Sequence, residues 1–548
     1  MLRLAVIAVL HAAALTGDFL IEYGLYHFVL AALAWLFVNC IFLIFIRRPI
    51  VSAALSLALL YGVVEMSLFK WNITYMTATF LDVLIIDSDT FAFLIQIFPN
   101  LKWWIFGGLV VGVPLLILLW RFDRFRVPRL VSLGVGALCL VFIVPMSLKV
   151  PEEGWEPFQG VNHISNFARS AVAAVSQLTA TGWLDAASHV ADPVPMTSNV
   201  SCKPERELPN IIIVLDESSF DISGAPGIKV PEGYEKHFQS FDGKKRLLEV
   251  ESTGGPTWYA EYNLLTGLSA RSYGKLKYYL TRISAERITR GLPTALKKCG
   301  YDTYSLYPAQ GDFLAARRFQ EALGVAHFID QNAMGANVEM NPDSFFYDQT
   351  AKLFEKEQGG KPLFVFTYLT ANHFPWTVDY HADLTPDWKA PGNTAEIDEY
   401  LRRQTMSAKD YTDFVARLKR EFPDRKFLVL RFGDHQPAIS SKILEPNADT
   451  KSVAKKMEDY DPLYFTTYYV IDTVNFTPAD LSSARERLEG AYMPLMLQEL
   501  AGVPLDPSFV EQKKIFQRCA GKFYGCKGGD EARRFNRLLM DAGLIKGL

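Results

Sequence analysis

The sequence predicts an α/β fold with a mostly parallel sheet, preceded by a five-helix transmembrane domain. Two observations carry that prediction. Long apolar runs dominate residues 1–150, and charge appears at ordinary globular density only after them. The remainder alternates strand-like stretches (211–215, 247–251, 303–306, 363–369, 427–431 and 465–471) with helix-like ones (258–265, 293–299, 314–323, 347–357, 407–421 and 492–500). Such alternation places a parallel sheet between helical layers.

The transmembrane domain, residues 1–150, holds five candidate spans at about 2–22, 28–46, 49–69, 104–121 and 129–148. Each is close to the ~20 residues of a bilayer crossing. The first carries His11 and Asp18, and a signal peptide is its rival reading. No small-residue cleavage site precedes a soluble stretch, and further spans follow at once, so a span is preferred. Polar groups within spans face protein or water, and no chemistry is placed on these two. Arg3, the pair Arg47 and Arg48, and the set Arg121, Arg124, Arg126 and Arg129 fall on one side of a five-span arrangement. The excess of Lys and Arg marks that side as cytoplasmic. Everything after residue 150 is then expected to be extracytoplasmic, on a multi-pass membrane protein.

The loop from Lys70 to Lys102 reads as an interfacial or re-entrant segment with aromatic anchors at Trp71 and Tyr75. Its apolar stretch runs from Phe80 to Ile86. Residues 151–209 form a linker. It opens with a break at Pro151-Glu152-Glu153-Gly154 and continues as an amphipathic helix over 162–180, with Ile164, Phe167, Ala171, Val172 and Val175 apolar. It ends in an extended connection through Pro193 and Pro195.

The outer domain is residues 210–548. A formal net charge of −3 argues against a polyanionic partner such as nucleic acid. Cys40 and Cys139 fall in spans and read as buried thiols. Cys202, Cys299, Cys519 and Cys526 lie where disulfides are permitted. Four cysteines allow three connectivities; nearness in sequence favours Cys519–Cys526, leaving Cys202–Cys299.

Chemistry concentrates at strand ends. The run Ile211-Ile212-Ile213-Val214-Leu215 stops at Asp216-Glu217-Ser218-Ser219. Phe427-Leu428-Val429-Leu430 leads to Gly433-Asp434-His435. Parallel sheets build their sites at carboxyl ends of strands. Glu217, Asp434 and His435 make a hard-ligand set with one imidazole, suited to Zn²⁺ or Mn²⁺. The bland alternatives are a carboxylate helix cap and a turn with a satisfied histidine. Thr257 follows Gly254-Gly255-Pro256 and opens an apparent helix whose N-terminus favours phosphate. It reads either as a metal-activated nucleophile, with Ser252 and Thr253 as rivals, or as that helix's N-cap.

The order of strand–Glu217, Thr257, Asn372-His373-Phe374-Pro375 and strand–Gly433-Asp434-His435 resembles the alkaline phosphatase/sulfatase superfamily over roughly residues 205–505. Within it the chain is most similar to the membrane-bound branch of lipoteichoic acid synthases and phosphoglycerol transferases of periplasmic glucans. The resemblance implies an alkaline-phosphatase-like three-layer sandwich. It also implies a divalent metal ion, Mn²⁺, Zn²⁺ or Mg²⁺, held by Glu217, Asp434 and His435 with Thr257. By the same resemblance Thr257 attacks a membrane phospholipid donor and forms a phospho-threonine. A glycan or lipid acceptor then takes the headgroup, phosphoglycerol first among candidates. His373 is implied to face the phosphoryl group. Trp376 could line the site, although an aromatic beside proline more often packs. Asp216 is an extra acid that the family does not require and that could orient ligands.

Two departures leave the headgroup open. Ala315-Ala316-Arg317-Arg318 stands where lipoteichoic acid synthases carry a Trp-Asn-Arg element; the Trp is absent and the arginines are offset. Arg317 and Arg318 are then phosphate contacts or ordinary helix-surface charges. The competing readings are a phosphoethanolamine transferase acting on lipid A or a glycan, a phosphodiesterase or sulfatase-type hydrolase, and a non-catalytic lipid-binding protein. Only nine histidines occur in the chain, which disfavours the first. The Cys/Ser-x-Pro-x-Arg motif of sulfatases is absent after the first strand. The joint presence of Glu217, Thr257, Asp434 and His435 disfavours a mere binder.

Overall fold

The computed structural model describes residues 1–74, 76–85, 91, 94–95, 98, 100–150, 156–190, 194–196, 202–336, 341–357 and 360–546. Tyr75, Ile86, the break at Pro151–Gly154 and Pro193 lie outside the described residues. The chain forms two units, Met1–Gly182 and Trp183–Leu548.

Among the described residues of the first unit, five helices are long and apolar enough to cross a membrane: Leu2–Ile21, Leu25–Ile46, Pro49–Asn72, Leu101–Phe122 and Arg129–Lys149. Their turns are closed by polar groups at one end. Asp123 accepts from the Ile50 and Val51 N–H groups at 2.7 and 3.2 Å, satisfying donors that the third helix leaves open. Val127 N–H donates to Arg47 O at 2.9 Å, and the Arg3 guanidinium lies over the Phe122 ring. The basic loops therefore share one end of this unit. His11 packs edge-on against Trp35. The amphipathic helix His163–Ala180 belongs to this unit as well, and Glu22 accepts from its first N–H groups at Ile164 and Ser165. A short helix Phe80–Ile85 lies against it, with Phe80 N–H on Ser170 Oγ at 2.9 Å.

The second unit is built on an eight-stranded sheet of order β4-β3-β5-β1-β6-β7-β2-β8. Its strands are β1 (Asn210–Asp216), β2 (Leu247–Glu249), β3 (Asp302–Leu306), β4 (His327–Ile329), β5 (Leu363–Tyr368), β6 (Phe427–Gly433), β7 (Thr466–Val474) and β8 (Arg487–Glu489). β4, β3, β5, β1 and β6 run parallel, and β7 is antiparallel to β6. β1 is central, and residues 211–215 are fully buried, which explains their unbroken apolar character. Sequence reading missed β4 and β8. Each is three residues long at a sheet edge, too short to show a period. It also missed the helices Thr450–Glu458, Pro507–Arg518 and Asp530–Asp541. Two disulfides pair Cys202 with Cys299 and Cys519 with Cys526; Cys40 and Cys139 are free and buried.

Candidate active site

The register of β1 against β6 pairs Asp216 with Gly433. The next residues, Glu217 and Asp434, therefore leave the sheet side by side. Gly433 permits the approach: a Cβ there would sit 1.9 Å from Ser219 O, so no side chain fits. Ser218 takes a left-handed backbone, φ 51°, which is uncommon outside glycine. Its N–H donates to Asp434 Oδ1 at 2.8 Å. The His435 N–H donates to the same oxygen at 2.9 Å, leaving Asp434 Oδ2 buried with no hydrogen-bond partner among the described residues.

Glu217, Asp434 and His435 each offer one ligand atom, all within 4.8 Å of one another, and all three residues are buried. His435 Nδ1 lies 2.9 Å from Gln436 O. Donation there puts the proton on Nδ1 and the lone pair on Nε2. Nε2 sits 3.3 Å from Asp434 Oδ2 and 3.4 Å from Glu217 Oε1. Burial raises the Glu217 carboxyl, but His435 and then His373 oppose it and bring it down to about 2. Asp434 is pushed up to about 7 by burial and by the charge on Glu217. Burial lowers His435, yet Asp434 and Glu217 outweigh it and hold the imidazole up to about 9. Buried carboxylates beside an imidazole lone pair form a donor set that fits a divalent cation, which exchanges with the protons these groups otherwise hold.

Thr257 Oγ1 donates to Glu217 Oε2 at 3.1 Å, so the hydroxyl joins this group. The structure corrects the cap reading. The helix is Thr257–Thr266, its N-cap is Pro256, and no side-chain cap bond forms. Thr257 occupies the first helical position, beside the positive end of the helix dipole. Ser252 and Thr253 hydroxyls are buried without hydrogen-bond partners, and neither contacts the carboxylates. Thr253 bridges to Gln436 instead.

His373 is half-buried, with Nδ1 2.8 Å from Phe374 O. Its loop is fixed by groups that sequence reading missed. Arg403, fully buried, donates to His373 O, Pro375 O and Val378 O at 2.7, 2.8 and 2.9 Å. Glu399 ion-pairs with Arg403 at 2.7 Å and accepts the Tyr380 N–H. Asp343 accepts from Thr370 N and Ala371 N. The only sequence signal was charge on the inner face of the long helix Ala395–Glu421, which helical spacing alone presents as a solvated face.

Four residues singled out in the sequence lie outside the hydrogen-bonded group of Glu217, Thr257, Asp434 and His435. Trp376 is 4% exposed and donates Nε1–H to Asn372 O; it supports the loop from the core. Arg317 pairs with Asp330 at 2.7 Å and lies over Phe328. Arg318 is exposed on the helix Ala316–Ala322. Asp216 points into a separate buried cluster with Arg431, His237 and Tyr468. Burial opposes its ionisation, but His237 and Arg431 hold its carboxyl below the usual range. It orients none of the three grouped ligand atoms.

Residues 209–463 match the Sulfatase family model. A search of curated proteins finds no match. Among solved structures, the chain is similar to the lipoteichoic acid synthase LtaP from Listeria monocytogenes, at 16% identity and a TM-score of 0.42 over 54% of this chain and 72% of that one. It is similar to the Streptococcus pyogenes phosphoglycerol transferase GacH in complex with sn-glycerol-1-phosphate, at 15% identity and 0.47 over 62% and 90%. The integral membrane lipooligosaccharide phosphoethanolamine transferase A, EptA, from Neisseria meningitidis aligns at 14% identity and 0.46 over 91% and 95%.

Proposed function

We propose that this protein transfers a phospho-headgroup, phosphoglycerol first among candidates, from a membrane phospholipid to a glycan or lipid acceptor at the extracytoplasmic face of the inner membrane. One observation carries the reading: the Thr257 hydroxyl bonds to Glu217 in the same group that holds the unpartnered Asp434 Oδ2 and the His435 Nε2 lone pair. A bare hydroxyl is a poor nucleophile, and a threonine drawn into a metal-ligand group is the arrangement that phosphoryl transfer needs. The Sulfatase family match and five membrane-length helices agree with it. The shared end of Arg3, Arg47 and Arg126 supports a cytoplasmic side there.

Glu217, Asp434, His435 and Thr257 would hold the cation. Bound there, Mn²⁺, Zn²⁺ or Mg²⁺ supplies positive charge that lowers the hydroxyl pKa and neutralises phosphoryl oxygens. Thr257 Oγ forms a bond to phosphorus while the bond to the diacylglycerol oxygen breaks, and diacylglycerol leaves with a proton. The acceptor hydroxyl then attacks the phospho-threonine, loses its proton, and returns Thr257 as the free alcohol. In this reading His373, whose backbone carbonyl Arg403 holds, takes or passes that proton. The helix N-terminus at Thr257 stabilises the phosphate between the two steps.

The test is to incubate the full chain in detergent with divalent cation and either phosphatidylglycerol or phosphatidylethanolamine. Diacylglycerol release and a phospho-adduct on the Thr257 peptide, read by mass spectrometry, are expected, with a mass that identifies the headgroup. Release without any adduct would favour a direct hydrolase instead.

A further inference from the structure

Outside the Glu217 group, two cations are gathered on aromatic rings. The Arg271 guanidinium lies between Tyr460 and Tyr524, 3.9 and 4.4 Å from their ring centroids. Lys277 Nζ is 4.9 Å from the Tyr460 centroid and donates to its hydroxyl at 2.6 Å. Neither cation has a carboxylate within ion-pair distance among the described residues. Glu251 uses its oxygens on Asn263, Ser269 and the Ala270 N–H. Arg271, Lys277, Tyr460 and Tyr524 are each only half-buried, so a ligand can reach them.

Chains of neighbours connect the cluster to the elements that carry Thr257 and His435. Lys277 lies 6.0 Å over Tyr259, two residues or ~3 Å of helix beyond Thr257. Tyr460 packs on Phe465 at 4.8 Å. Gln436, beside His435, donates to Leu463 O and Thr466 O, which flank Phe465.

Arg271 lies over the Tyr460 ring and Lys277 sits at its hydroxyl edge, so two like charges share one side chain and repel each other. Ring faces attract a cation weakly, and a phosphate bridging both cations would gain charge-assisted bonds from each. We infer that Arg271, Lys277 and Tyr460 form a second anion subsite, one that takes a phosphate group beside the Thr257 site. If the transferase reading holds, that phosphate belongs to the incoming acceptor or to the donor headgroup. The subsite itself requires no turnover.

The experiment is calorimetric titration of the full chain in detergent with inorganic phosphate after EDTA treatment. EDTA removes any cation-mediated binding at the Glu217 group, and the variants report the contribution of the subsite itself. Arg271→Gln/Lys277→Gln is expected to weaken phosphate binding about tenfold or more. Arg271→Lys keeps the charge and should retain most of it. Lys244→Gln, an exposed lysine elsewhere, should match the parent. Competition then separates the sources: displacement by soluble glycerol phosphate alone assigns a soluble acceptor, and displacement by phosphatidylglycerol nanodiscs but not phosphatidylcholine ones assigns a lipid headgroup. No phosphate binding by the parent, or equal binding by the double variant with an unchanged melting profile, overturns the subsite. Because the readout is binding without metal, an inactive enzyme that still binds phosphate here would fail the transferase reading and leave the subsite standing.

Discussion

Replacing Thr257 by alanine separates catalysis from stability. The substitution deletes one hydroxyl whose bond runs to Glu217 Oε2 at 3.1 Å. Glu217 keeps a second donor, Ser218 Oγ at 2.8 Å on Oε1. No helix cap is lost, because Pro256 occupies that position. A hydrogen bond to a charged group is worth ~1.5–3 kcal/mol when fully buried. Thr257 is only half-buried, so the folding cost should be about 1 kcal/mol, well inside the margin of a domain of this size. Loss of the attacking oxygen removes the covalent route altogether and should cost about 10³-fold or more in turnover, roughly 4 kcal/mol of activation free energy. The two effects differ enough to be read apart. The assay pairs diacylglycerol release with a thermal melt of the same preparation. Thr257→Ser keeps a hydroxyl and should keep measurable turnover and an adduct on residue 257. Turnover by Thr257→Ala within tenfold of wild type, or an adduct mapped to Ser252 or Thr253, would refute the reasoning.

Glu217→Ala, Asp434→Ala and His435→Ala should each reduce bound divalent metal, measured by plasma mass spectrometry, and abolish turnover; wild-type metal content in all three would remove them from the ligand set. Glu261, one helical turn after Thr257, is buried and accepts from Gln320 Nε2, and burial pushes its carboxyl from 4.5 up to about 7. A carboxyl held above its unfolded value stabilises the fold fully below about pH 4.5, and that stability is lost as pH rises through about 7. The shift corresponds to on the order of 3 kcal/mol. Glu261→Gln should therefore resist denaturant better than wild type at pH 8 and lose that advantage near pH 4.5; a difference independent of pH would contradict the assignment. For topology, a reporter active only outside the cytoplasm should work when fused after Leu548 and stay silent at Arg47 or Arg126, and activity at Arg126 would reverse the orientation.

The strongly patterned parts of this protein were legible residue by residue. The membrane spans announce themselves because a bilayer demands about twenty apolar residues in a row, and β1 and β6 because strands buried on both faces carry near-continuous apolar runs, 211–215 and 427–430. Glu217 and Gly433-Asp434-His435 stood out as polar endings on such runs. Only the tertiary structure decided how they meet. Register places Glu217 beside Asp434, and Gly433 lets the Ser219 carbonyl through. Distances between side chains from strands two hundred residues apart depend on that register, which no local pattern encodes. The cap reading of Thr257 failed for the same reason: a one-residue shift of the helix start moved the cap to Pro256. Arg403 and Glu399 were invisible because charge on a helix looks solvated until a loop is laid over it. Arg271 and Lys277 lie six residues apart, yet both contact Tyr460, far along the chain, and only folding brings it to them.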